Sequence, residues 1–267
     1  MTPPVQLRAR LLPVLCFLMT SVIGCGTEVY NQRVAATKEL FEYINKLDEN
    51  LGQPWAQSGV EIRMPKQMVE IPAPKFERNE EGQLVQVGED LRQPNYMSEE
   101  LPGLIGAWQG TVEADVAGEF KQVPAYAYIM SNSVYLAKND PEAAMEFSNK
   151  VAETIVNGLN LPPYDPSDWN QKQYPPSPGL VPQQSASVWV TKTDYFIGET
   201  KAEISLHLFG QGDTTVYVLF VYPETITSNE RFIERIDLSL ETIKISDDRQ
   251  QTGTAPGTAP NAPPSGF

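Results

Sequence analysis

Any chemistry in this chain rests on a short set of side chains: two cysteines, Cys16 and Cys25, one histidine, His207, and 34 carboxylates among 267 residues. One histidine and two cysteines leave no material for a multi-histidine or cysteine-rich metal site, and two cysteines make no disulfide framework. Nucleophilic catalysis finds no G-x-S-x-G elbow. His207 falls in the expected strand 202–209, where Ile204, Leu206 and Leu208 share one face and His207 shares the other with Glu203 and Ser205. It is either a base oriented by Glu203 or a solvent-side strand histidine, and alternation alone accounts for the second reading. Gly210-Gln-Gly212 lacks the following helix that would hold a phosphate, so a hairpin turn is expected there. The carboxylates could supply a glycosidase pair or a calcium site, but no D-x-D-x-D-G loop is present. The pairs Glu80-Glu81, Glu89-Asp90 and Glu99-Glu100 lie on polar stretches and read as a solvated acidic face. No metal or cofactor is expected.

Cys25 stands in a different context. Residues 1–10 carry Arg8 and Arg10 and no acid, residues 11–23 (LLPVLCFLMTSVI) are almost wholly apolar, and Gly24 and Cys25 follow. This is the charged, apolar and small-residue succession of a secretory signal. The apolar run is shorter than the roughly 20 helical residues a bilayer core requires. Val22-Ile23-Gly24-Cys25 resembles the bacterial lipobox, with Ile23 bulkier than the usual small residue. That resemblance implies cleavage before Cys25, a thioether-linked diacylglycerol on its sulfur and acylation of its amine. Cysteine suits the reaction because the thiolate is a strong nucleophile. Cys16 would be discarded, leaving Cys25 as the only cysteine of the mature chain, with no disulfide to form in an oxidising compartment. Two or three acyl chains anchor stably where one is marginal.

The charge balance limits the partners. A net charge of −14 and a pI near 4.5 argue against nucleic acid, whose phosphates demand a basic footprint. Removing residues 1–24 takes away Arg8 and Arg10 and no acid, so the mature chain would carry −16. Anionic headgroups repel such a body, which leaves the lipid on Cys25 as its membrane contact. Gly26 follows the cysteine instead of the aspartate some diderm bacteria read as an inner-membrane retention signal. The expected location is therefore exported, on the cell membrane or the outer membrane. Tyr164, Trp169 and Tyr174, in a stretch with seven prolines over residues 161–182, could form a binding surface or fold the loop back onto the domain.

The elements that position these residues follow from periodicity. Residues 29–51 read as an amphipathic helix whose stripe (Tyr30, Val34, Phe41, Ile44) is expected to pack on the protein's own core, with Gly52 and Pro54 as its stop. So short a link from Cys25 places the body close to the bilayer. Val60, Ile62 and Met64 alternate as a half-buried strand; Phe76–Glu100 reads as a surface excursion. Strands are expected at 101–112 and 123–130, then a helix opened by Asp140-Pro141-Glu142 and carrying Ala144, Phe147, Val151 and Ile155 inward. Strands 187–191, 202–209 and 214–222 follow. A capping box Thr227/Glu230 opens a closing helix with Phe232, Ile233, Ile236, Leu240 and Ile243 inward, and Ile243–Ile245 run on as a strand. The tail 247–267, rich in Thr, Ala, Pro and Gly, reads as disordered.

Together these predict an α+β fold: an antiparallel sheet flanked by helices over 58–246, one domain behind a lipidated segment 25–57 and a signal peptide 1–24. The element order and the ending AEISLHLF…TTVYVLFVYP…RFIERIDLSLETIKI resemble the PsbP-like fold, and the chain as a whole resembles bacterial lipoproteins to which no activity is attached. The expected role is a non-catalytic binding or assembly component with an envelope protein partner. The alternatives are a carboxylate-dependent hydrolase of envelope polysaccharide and a small-ligand carrier.

Overall fold

A computed structural model describes residues 11–162, 165–179, 181–227 and 231–246. The expected n-region, Tyr164, Glu230 and the tail 247–267 lie outside the described residues. The chain divides into two compact units, a long helix and the α+β domain.

The helix, α1, spans Leu11–Asn50. It begins earlier than the stripe predicts, running through Gly24 and Gly26. Among its described side chains, Tyr30, Val34, Phe41 and Ile44 are exposed, which corrects the expectation that this stripe packs on the core. The reason lies in the domain, where other elements already cover both faces of the main sheet.

That sheet has seven strands in the order β3-β6-β7-β11-β10-β9-β8, each pairing antiparallel. Its strands are β3 (Val69–Glu70), β6 (Leu104–Val116), β7 (Glu119–Ser131), β8 (Asn170–Tyr174), β9 (Gln184–Ile197), β10 (Thr200–Gln211) and β11 (Thr214–Pro223). β10 and β11 pair from Ala202↔Pro223 to Gln211↔Thr214, so the hairpin expected around 210–213 turns at Gly212-Asp213. A second sheet, β1 (Leu51–Gln57), β2 (Val60–Pro65) and β12 (Lys244–Ile245), is ordered β1-β2-β12. β1 stands where only a helix stop was expected, and the domain therefore begins at Asn50 rather than at 58.

One face of the main sheet is covered by α3 (Pro141–Gly158), preceded by a single turn, α2 (Ser133–Leu136). Phe147, Val151 and Ile155 of α3 are buried with Met130, Leu206, Tyr217 and Leu219. The opposite face is covered by α4 (Phe232–Leu240) and the small sheet. Phe232, Ile236, Leu240 and Ile243 are buried there with Ile62, Met64, Trp108, Val218 and Phe220. Ile233, expected inward, is exposed. Because both faces are covered, almost every residue of β11 is buried, and the polar-out alternation of a half-exposed strand is lost.

Local signals account for the helix starts unevenly. At α3, Asp140 is the N-cap, its Oδ1 accepting from the Ala143 N–H at 3.1 Å, with Pro141 in the first turn. Asp140→Ala is expected to cost about 1 kcal/mol, read as a lowered urea midpoint with an unchanged slope. At α4 the N-cap is Arg231, held at φ 48°, rather than Thr227, which donates its hydroxyl to Glu113 Oε1 at 3.2 Å; Glu230, the other half of the expected capping box, lies outside the described residues.

The two irregular stretches are more ordered than expected. The excursion 76–100 contains an exposed hairpin, β4 (Lys75–Arg78) and β5 (Leu84–Val87). Within the proline-rich segment 161–182, β8 pairs along the edge of the main sheet with β9, from Asn170↔Val188 to Tyr174↔Gln184.

Candidate functional site

His207 is 2% exposed, so the solvent-side reading is wrong. Strand alternation does set its face, but α4 and the small sheet cover that face. Glu203 does not orient it either, since Glu203 Oε1 accepts from the Tyr222 hydroxyl at 2.8 Å. The imidazole has two other partners. Nε2 is hydrogen-bonded to Ser205 Oγ, two residues earlier on β10. Nδ1 lies 3.2 Å from the Tyr174 hydroxyl, contributed by edge strand β8. The ring edges of Tyr174 and Phe220 enclose it at 5.9 and 6.2 Å.

These groups meet at a cleft of about 390 Å³ between the sheet and α4. Lys172, Ser205, His207, Tyr222 and Asp237 line it, and Val188, Val190, Ile233 and Ile236 supply apolar wall. Lys172 Nζ bridges to Asp237 Oδ1 at 3.1 Å and sits 5.6 Å over the Tyr174 ring. Burial, and secondarily the charge of Lys172, push the His207 imidazole down to about 3, so it is neutral at physiological pH. Burial, then the field of Asp237, push the Tyr174 phenol well up. Burial and the neighbouring Glu203 do the same to Tyr222.

A neutral imidazole carries one ring proton and one lone pair. His207 therefore donates to one of its two hydroxyl partners and accepts from the other, and Tyr174, His207 and Ser205 form a hydrogen-bonded chain along the buried side of the cleft.

A second cleft, of about 500 Å³, is walled by Tyr96, Tyr126 and Tyr128 with Glu89, Asp90, Arg92 and Glu100 among its polar residues. The hydroxyls of Tyr96 and Tyr128 are 2.9 Å apart, and the Tyr96 ring stacks on Tyr195 at 5.2 Å. Burial works to raise the Asp90 carboxyl, but the hydrogen bonds and charge of Arg92 outweigh it and hold the group below its usual range. A glycosidase acid must hold its proton near neutrality, and Asp90 is moved the other way. Arg92 also donates to the Ile105 carbonyl at 3.1 Å, so this part of the expected solvated acidic face is fastened to the sheet.

Of the three loop aromatics, Tyr164 lies outside the described residues, and Trp169 and Tyr174 fall on opposite faces of the sheet. Trp169 is half-buried against Trp189 and Tyr217 at 6.2 and 6.5 Å, on the α3 side of the sheet. Tyr174 is buried on the α4 side beside His207 and Phe209. The lipobox residues Val22, Ile23, Gly24 and Cys25 lie within the helical span of α1.

No protein-family model matches the chain, and no curated protein matches it. Among solved structures, the chain is similar to a crystal structure of a protein from Bacteroides thetaiotaomicron, at 8% identity and a TM-score of 0.35, over 74% of this chain. The match spans half the length of that protein.

Proposed function

We propose that the chain is an exported bacterial lipoprotein, held at the envelope by lipid on Cys25, whose α+β domain serves there as a binding or assembly component. The observation that carries this reading is the sequence Val22-Ile23-Gly24-Cys25 at the end of a 13-residue apolar run, with no other cysteine after it. The acidic body receives no help from anionic headgroups, so attachment depends on the acyl chains. The two concave sites of the domain, one apolar with a polar floor and one walled by tyrosine, are of the kind that take ligands.

The segment after Cys25 is helical throughout, where the sequence predicts a helix only from residue 29. From Cys25 to Asn50 α1 supplies about 26 helical residues, or roughly 39 Å at 1.5 Å per residue.

Metabolic labelling with a clickable fatty acid, followed by membrane fractionation, tests the anchor. The wild type is expected in the membrane pellet and labelled. Cys25→Ala is expected unlabelled and released from the pellet, with its domain folded. Equal label on both proteins would end the lipoprotein reading.

A further inference from the structure

We propose that the tyrosine-walled cleft binds a neutral saccharide, seating the face of a pyranose ring against Tyr126 and taking its hydroxyls on the polar groups around it. The inference rests on the binding role proposed above and names the ligand class for one of the two clefts.

Three observations carry it, and the first is a count of protons. The hydroxyls of Tyr96 and Tyr128 are 2.9 Å apart, so one donates to the other, and neither has another hydrogen-bond partner among the described residues. Burial pushes both phenols well up, so both keep their protons. Two protons and one shared bond leave one O–H in the cleft lining for a ligand oxygen to accept.

The second is the state of the charges. Among the described residues lining the cleft, Glu89, Asp90 and Glu100 stand against one cation, Arg92, which disfavours an anionic ligand. Arg92 cannot reverse this. Its Nε and Nη2 hold the two oxygens of Asp90 at 2.9 and 2.8 Å, and its Nη1 holds the Ile105 carbonyl. An organic cation fits no better. Asp90 is already neutralised by Arg92, and Glu89 and Glu100 are exposed to water, where a carboxylate attracts a cation only weakly. The spare phenol proton also needs an acceptor, which an ammonium lacks. A hydroxyl both donates and accepts, so a ligand rich in hydroxyls satisfies the carboxylates and the phenol together.

The third is the wall itself. Tyr126 is half-buried, with its ring 5.3 Å from Tyr96 and 6.4 Å from Tyr128, and Tyr96 stacks in turn on Tyr195. Rings braced in this way form a platform that does not have to be ordered when a ligand arrives. The face of an aromatic ring is the negative side of its quadrupole and attracts the weakly positive C–H groups of a sugar face. Asn95 and Gln109 in the same lining add amides that both donate and accept. A volume of about 500 Å³ suits a small ligand of this kind.

The test uses the full chain in a zwitterionic detergent, which has no sugar headgroup, with maltose, cellobiose and N,N′-diacetylchitobiose as probes. Saturation-transfer NMR is expected to show transfer from the protein to the ring protons of at least one of them, and titration of that sugar gives its Kd. Tyr126→Ala should raise the Kd by about tenfold or more. Tyr128→Phe keeps the ring and breaks the hydroxyl pair; it should raise the Kd about fivefold and still melt cooperatively. Phe120→Ala, which removes an exposed ring outside the lining, should leave it unchanged. Because the ligand is neutral, the Kd should move less than about twofold between about 50 and 500 mM salt. No transfer to any of the three sugars, or a Kd that neither cleft variant alters, would overturn the proposal. Displacement of the sugar by tetramethylammonium, with an affinity that falls as salt rises, would overturn it as well. A chain that binds sugar without the fatty-acid label ends the anchor alone, and a labelled chain that binds no sugar ends the assignment of the cleft alone.

Discussion

Acidification from pH 7 to pH 3 is expected to remove roughly 4 kcal/mol of folding stability through His207 alone. In the unfolded chain the imidazole takes up a proton near its ordinary value of 6.5, whereas in the folded domain burial and Lys172 delay that uptake to about 3. Between those values the unfolded state binds one proton more than the native state, so stability rises with pH. It is complete above about 6.5, declines by up to about 1.4 kcal/mol per pH unit below it, and stops declining through this group near 3. Carboxylates add their own acid dependence, so the measurement is a difference. Urea unfolding of wild type and His207→Gln at half-unit pH steps should give curves that converge as the medium acidifies. Parallel curves would mean that His207 is protonated in the folded state as readily as in the unfolded one.

Phe147→Ala is expected to cost about 3–5 kcal/mol, a large share of the 5–15 kcal/mol available to an ordinary domain. Phe147 is 1% exposed at the centre of the α3 face, with Tyr135 and Tyr217 at ring distances of 6.0 and 5.8 Å. Its surroundings cannot collapse easily. A Cβ on Gly103 would come within 2.8 Å of its ring and 2.6 Å of the Ser131 carbonyl oxygen, and Gly103 is itself held at φ +62°. Met145, on the same helix but 78% exposed, is the internal control, and Met145→Ala should change stability by less than about 0.5 kcal/mol. The denaturant midpoints of the two variants decide the matter. A loss below about 1 kcal/mol at Phe147 would mean that α3 does not depend on that ring for its docking.

How much of this was legible in the sequence depended on how local each cause was. Asp140-Pro141-Glu142 starts α3 because an N-cap needs only its own next three residues. Gly212-Asp213 turns β10 into β11 because a hairpin closes on itself. His207 was misread because its environment is set by α4, some 25 residues further on, and by a strand from the segment read as loop. A signal did exist: the run TTVYVLFVYP in β11 leaves no polar alternation, which is the mark of a strand covered on both sides, and β10 is its partner. Tyr174 could not be matched to His207, because the pairing of β8 with β9 brings them together and NQKQY carries little strand character. The α1 stripe misled for the opposite reason. Periodicity shows that a helix has an apolar face, but not whether the core has room for it.

The short outer strands of the main sheet bear on crowding. On the lipid anchor proposed above, molecules would meet in two dimensions at high local concentration, and an open sheet edge would then recruit its neighbours into ribbons. Here one edge is β3, two residues long, and the other is β8, five residues long and ending before Pro175. Along β8 the side chains of Gln171 and Gln173 bond inward to Ser187 and Ser185, and Lys172 projects a partly solvated charge. A sheet finished in this way can be packed densely on a surface and still remain a set of separate molecules.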